Sequence, residues 1–307
     1  MIIRLGATSV IQPSPPHHTG EMLSLIAETP FMLRTAIVIA FLAAGLMSAQ
    51  AEDPKTYPTE TVASFPAPEA RQAVAVDADA FYAITDRSIG RYDKKTGAKL
   101  ATWTDAKNGP FIHLDSGVVI DGKLYAAHSN YPEWPMTSSI EIWDAATLQH
   151  IGTRSFGIDR GSLTWIDYRD GVWCGAFANY NRVFGRSPLA YGNKYNTQIV
   201  RFDADWRVAE AWVLPPQLIE KFQDMSNSGG SWGPDGRLWI TGHDLPELYA
   251  LELPKAGSVL RWVGTAPAHI AGQGIAWDRT QKDVIWGVIR DKVKGENRVT
   301  ATRVQLP

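Results

Sequence analysis

A short apolar run ending in aspartate occurs five times, as AVAVD to Asp77, GVVID to Asp121, LTWID to Asp167, SWGPD to Asp235 and IAWD to Asp278. Each run is followed by a second apolar segment: FYAIT, LYAAH, VWCGAF, LWITGH and VIWGVI. Successive aspartates lie 44, 46, 68 and 43 residues apart. That is a period of about 45 residues with one long insertion, the length of a four-stranded propeller blade. A blade of this size cannot bury its own apolar surface, so the units must stack side by side and close. Aromatic-Asp turns at Tyr92-Asp93, Trp143-Asp144 and Phe202-Asp203 mark the outer hairpins, where the carboxylate can accept from the turn's own N–H groups. The 12 Trp, 26 Gly and 19 Pro suit short strands and tight turns better than long helices.

The expected fold is therefore all-β, a five-bladed β-propeller of four-stranded blades. The last unit stops one strand short, after RVTATRV, while Thr61 to Phe65 offers a spare strand ahead of the first unit. The two ends together make up about one period, so the N-terminal strand is expected to complete the last blade and remove two open sheet edges. A sixth blade would have to hide in the insertion between Asp167 and Asp235, whose surplus is too short for one.

Residues 32–51, MLRTAIVIAFLAAGLMSAQA, carry a basic start at Arg34, an apolar stretch and a small-x-small end at Ala49-Gln50-Ala51. This is the plan of a secretory signal peptide, which makes Met32 the candidate initiator, 1–31 an upstream extension and 52–307 one exported propeller domain, periplasmic or secreted. No stable membrane insertion is expected after cleavage. The net charge of −2 supplies no field to attract nucleic acid. Cys174, the single cysteine, lies in the apolar context VWCGAF and reads as an inert buried thiol.

In a propeller, the loops entering the inner strands and those leaving the second strands share one end of the ring. Sorting by that rule places His113, His128, His243 and His269 together, with only His150 of the later histidines elsewhere. Four imidazoles at one end suggest proton transfer near neutral pH or a divalent metal held by His113, His128, His243 and His269. His128 and His243 are the leading acid–base pair. Asp115, Glu133 and Asp244 could orient them, and Arg160 could neutralise a substrate carboxylate. Gln72 and Gln273, five residues before a repeat aspartate, are expected at the axis together with Ser116, Ser162 and Gly230. The same end gathers Asp86, Asp159, Asp224, Arg290, Asp291, Asn130 and Tyr131. It also carries the insertion 179–196, where Arg182, Arg186 and Lys194 stand among aromatic residues without an acidic one. No nucleotide-binding glycine loop or haem attachment motif is present.

The strings LYAAHSNYPEWPMTSSIEIWD, GSLTWID, SGGSWGPDGRLWITGHD and GQGIAWD resemble a family of exported propellers labelled cycloisomerase-like. A more distant similarity is to the five-bladed glutamine cyclotransferases. The resemblance carries no catalytic assignment; the histidine cluster itself points to an enzyme acting on a small polar molecule such as a lactone, an organic acid or a sugar derivative, and the exported chain is expected to be monomeric. The competing expectation is a non-catalytic module that binds a glycan, peptide or envelope protein at the same end.

Overall fold

A computed structural model describes residues 53–158, 160–182, 192–291 and 296–307. The expected signal and upstream segments lie outside the described residues, as do Asp159 and Arg186. Residues 53–307 form one compact unit. Its sheets are built from β1 (Lys55–Thr56), β2 (Thr59–Pro66), β3 (Ala73–Val76), β4 (Ala80–Ile84), β5 (Ser88–Asp93), β6 (Lys99–Thr104), β7 (His113–Ile120), β8 (Lys123–Ser129), β9 (Ser138–Asp144) and β10 (His150–Gly157). They continue with β11 (Ser162–Arg169), β12 (Val172–Ala178), β13 (Gln198–Phe202), β14 (Val208–Val213), β15 (Gly229–Trp232), β16 (Leu238–Thr241), β17 (Glu247–Glu252), β18 (Arg261–Pro267), β19 (Ala276–Trp277), β20 (Val284–Ile289) and β21 (Arg298–Val304).

These strands pair into five antiparallel blades: β3–β6, β7–β10, β11–β14, β15–β18, and β19–β21 completed by β2. Each of five apolar clusters fills one seam between neighbouring blades. Leu114, Leu124 and Trp143 meet Tyr82 and Ile84 between blades 1 and 2, and Phe177 and Phe202 meet Ile140 between blades 2 and 3. Trp165 and Ile199 meet Ile240 and Tyr249 between blades 3 and 4, Trp239 meets Trp277 and Ile285 between blades 4 and 5, and Trp286 and Val299 meet Phe81 between blades 5 and 1. Five seams for five blades mean that the ring is closed. Every blade buries both faces, which is what the repeat demanded.

β2 pairs antiparallel with β21 from Thr59 opposite Val304 to Pro66 opposite Arg298, so the N-terminal strand does complete the last blade. The structure adds a feature the repeat did not indicate. β1 lies parallel on β18 at the rim of blade 4, and Tyr57 packs edge-on against Trp239. The chain thus crosses from blade 4 to blade 5 before entering the ring. A Cβ at Gly264 would stand 2.1 Å from the Tyr57 ring, so only glycine leaves room for this crossing.

The end where inner strands begin is called upper here, and the opposite end lower. The repeat aspartates lie toward the lower end but occupy different local places. Asp77 and Asp278 cap the turns that follow their strands, accepting from Asp79 and Ala80 N–H and from Thr280 and Gln281 N–H respectively. Asp121 has φ 48° and precedes Gly122 at φ 71°, a two-residue hairpin turn with both central residues left-handed. Asp167 lies within β11 itself.

Candidate functional site

Strand ends set the upper chemistry. Asp86 follows β4 in blade 1, and His113 opens β7 in blade 2. His113 Nδ1 is 2.6 Å from Asp86 Oδ1, and Gln72 Nε2 donates to the same oxygen at 2.8 Å. The imidazole is thus held from one side, which directs Nε2 toward the buried Asp115, 3.7 Å from its Oδ2. That gap is too long for a direct hydrogen bond and leaves a reacting atom or water in reach of both groups. The one hydrogen bond to the Asp115 carboxyl among the described residues is from Ser116 N–H at 3.1 Å.

The two carboxyls are driven apart in acidity. Burial pushes Asp115 up to about 7 and the charge of Asp86 adds to the rise, while His113, the Ser116 N–H and Arg290 oppose it. Burial acts on Asp86 in the same direction, but the hydrogen bond and charge of His113, the Gln72 amide and Arg71 outweigh it and hold the group below its ordinary value. One carboxyl therefore stays ionised beside the imidazole while the other titrates near neutrality, the separation expected of groups with different proton-transfer roles.

Across the mouth, Arg290 follows β20 in blade 5 and donates through Nη2 to Asp244 Oδ1 at 3.2 Å. Asp244 Oδ2 in turn lies 2.7 Å from His243 Nδ1. The His243 carbonyl accepts from Gln273 Nε2. Gln273, at φ 70°, is held in a left-handed conformation while its own carbonyl accepts from Thr241 Oγ1. Tyr131 lies against the His113 ring with centroids 4.8 Å apart, and Tyr180 lies 5.6 Å from Tyr131. Burial raises the Tyr131 hydroxyl, opposed by Arg182 and then Arg290. It raises Tyr180 as well, assisted by Asp115. Residues from all five blades therefore share one electrostatic neighbourhood.

The structure separates several of the sequence-selected residues from this group. His128 lies opposite Leu114 in the β7–β8 ladder, whereas His113 lies opposite Ser129. Strand alternation therefore sends the His128 ring to the other blade face. There Nε2 accepts from Ile112 N–H at 3.1 Å and Nδ1 is 2.9 Å from Ser139 Oγ, which donates to Glu141. Burial pushes the imidazole down to about 4, so it packs as a neutral bracket in the blade 1–2 seam. His269 is exposed on the rim. Among the described residues, no group of three or more His, Cys, Asp or Glu side chains is arranged to hold a metal ion.

Arg160 lies beside Phe156, Phe177 and Trp206 on the blade 2–3 flank and donates to Gln198 Oε1 at 3.0 Å. Asn130 closes its own loop, donating to the Pro135 carbonyl and accepting from Thr137 N–H. Glu133 is exposed. Lys194 is buried and donates to Glu220 Oε2 and the Gln223 carbonyl, tying down one end of the insertion. Cys174 is buried, its thiol pushed up to about 11 chiefly by burial. Asp86 and Arg290 carry no role in the sequence pattern, and Tyr180 is not singled out by it. Their shared signal was position at or just past the end of a second strand.

No protein-family profile and no curated protein matches the chain. Among solved structures, the glutaminyl cyclase of Myxococcus xanthus is similar at a TM-score of 0.54 and 12% identity, over 82% of this chain and 98% of that one. This likeness shows the propeller fold. A luciferin-regenerating enzyme aligns at a TM-score of 0.47 and 7% identity, over 78% of this chain and 95% of that one. The PQQ-bound aldose sugar dehydrogenase of Streptomyces coelicolor aligns at 0.46 and 12%, over 82% and 99%.

Proposed function

We propose that the protein is an exported enzyme that moves a proton on a small polar substrate at the upper end of the ring. His113 and Asp115 are the acid–base pair, and Asp86 is the residue that orients the imidazole. The observation that carries this reading is the buried Asp115 carboxyl, pushed up to about 7 by burial and standing 3.7 Å from His113 Nε2. With Asp86 fixing Nδ1, the Nε2 lone pair of neutral His113 can accept a proton from a substrate carbon or hydroxyl. Protonated Asp115 can return one to a neighbouring atom, and Asp86 stabilises the imidazolium in between. Buried charges act strongly in such a setting, and Tyr131 supplies a hydroxyl and an aromatic wall beside the reacting centre. His243, paired with Asp244, is a second imidazole at the same mouth.

Proton transfer within one molecule underlies cyclisation, isomerisation and lactone opening, so the cycloisomerase-like resemblance sets the first substrates to try. Lactones, hydroxy acids, sugar acids and glutaminyl peptides form one panel, followed by NMR in D2O. Turnover or deuterium incorporation that is lost in both His113→Ala and Asp115→Asn, with folding intact, is the expected result. Ligand binding without either reaction would assign the mouth to a non-catalytic binding module. Export is tested by sequencing the N-terminus of secreted protein, which is expected to begin near Glu52.

A further inference from the structure

Arg290 places a guanidinium near Asp115 and Tyr131, where Arg182 also bears on Tyr131. The Arg290 side chain is only 13% exposed. Its Nε is buried with no hydrogen-bond partner among the described residues, a state that costs free energy unless something arrives to accept from it. The acceptor it does have, Asp244, is 54% exposed and meets it through one oxygen at 3.2 Å. A planar guanidinium is built to hold a carboxylate through two parallel N–H donors, so this one contact among the described residues leaves the fork unfilled. Arg290 is also close enough to bear on Asp115 and Tyr131, both contributed by blade 2.

We infer that Arg290 anchors a carboxylate of the substrate, with Asp244 holding the guanidinium in place until a small organic acid displaces it. The inference rests on reading this mouth as the proton-transfer site, and it names the substrate class. It has a consequence for pH. Among the described residues, the charged and titratable groups around Asp115 include His113 on its own strand, Asp86 and Arg71 from blade 1, Arg290 from blade 5, and Tyr131, Tyr180 and Arg182 from the loops of blades 2 and 3. A second anion placed among them is repelled by ionised Asp115 and tolerated by its neutral form. Acid binding should therefore draw in a proton and weaken as pH rises through about 7.

The test is calorimetric titration of the purified protein with lactate and succinate against lactamide and succinamide, at pH 6 and pH 8. The acids are expected to bind at least about tenfold more tightly than the amides at pH 6. That preference disappears in Arg290→Gln, and Asp115→Asn keeps the preference while losing the pH dependence. Equal binding of acids and amides, no binding of either acid, or a preference that survives Arg290→Gln would each overturn the inference. Should Arg290→Gln fail to fold, Arg290→Lys decides the matter, because it keeps the charge without the fork. A weakened preference supports the anchor and an unchanged one refutes it. Binding heat does not depend on turnover, so Arg290-dependent acid binding in a protein that exchanges no proton would refute only the proton-transfer reading. Turnover combined with Arg290-independent binding would refute only this one.

Discussion

Two buried aspartates at opposite ends of the ring show what separates a structural carboxylate from a chemically active one. Burial raises both Asp167 and Asp115. Asp167 is surrounded by compensation: it accepts from Tyr168 N–H, Trp232 N–H, Ser231 Oγ and Arg279, tying blades 3, 4 and 5 together. Asp115 has the Ser116 N–H and a histidine held just beyond hydrogen-bond range. Similar burial therefore meets four hydrogen-bond donors in one place and a single one in the other. The count and direction of donors, rather than burial itself, distinguish the two.

The most forceful way to break this comparison is to remove the compensation below. Lys94 and Asp278 form an ion pair 2.8 Å long with side chains 3% and 1% exposed, joining blade 1 to blade 5. Lys94→Met strands the buried Asp278 carboxylate and should cost about 3–5 kcal/mol in denaturant unfolding. At the upper end the expected loss is in chemistry. His113→Ala should lower turnover by about 10²–10⁴-fold, with a melting temperature close to that of the parent.

Asp115→Asn sharpens the comparison through pH. A carboxyl whose folded value lies near 7 binds its proton more tightly in the native state than the ordinary 3.8 allows. Its contribution to stability is thus favourable at low pH and is lost between about pH 4 and 7, by roughly 1.4 kcal/mol for each unit of difference. The Asn variant should flatten that part of the stability curve and be more stable than the parent at pH 8. Unfolding curves collected from pH 4 to 8 provide the check. His128 should behave in the opposite sense. Its folded value near 4 lies below the ordinary 6.5, so its contribution is present above pH 6.5 and lost as pH falls toward 4. His128→Ala should cost about 1–3 kcal/mol at neutral pH through the lost packing against Phe111 and the lost hydrogen bond to Ser139. Turnover should change far less than in His113→Ala.

The pair His113 and His128 also shows how far the sequence could be read. Spacing of the five aspartates was enough for blade number and closure, because every blade must bury two faces and the ring admits no spare edge. Which blade face an imidazole uses depends on register, and a one-residue offset in the β7–β8 ladder separates two histidines that spacing placed together. Arg160 and Arg290 differ for a related reason. Both lie at the upper end, but Arg160 precedes an inner strand from the outer rim while Arg290 leaves a second strand toward the mouth. β1 gave no signal because Lys55 and Thr56 carry neither apolar alternation nor a turn motif; the crossing becomes visible only through Tyr57 and the space above Gly264.

The central claim, that a carboxyl at the mouth exchanges its proton near neutrality beside an oriented imidazole, is tested most directly by a carbon-13 NMR titration of the Asp115 side chain. The account predicts a midpoint at about 7, set chiefly by burial. A midpoint near 4 would mean that Asp115 is ionised throughout and has no proton to give.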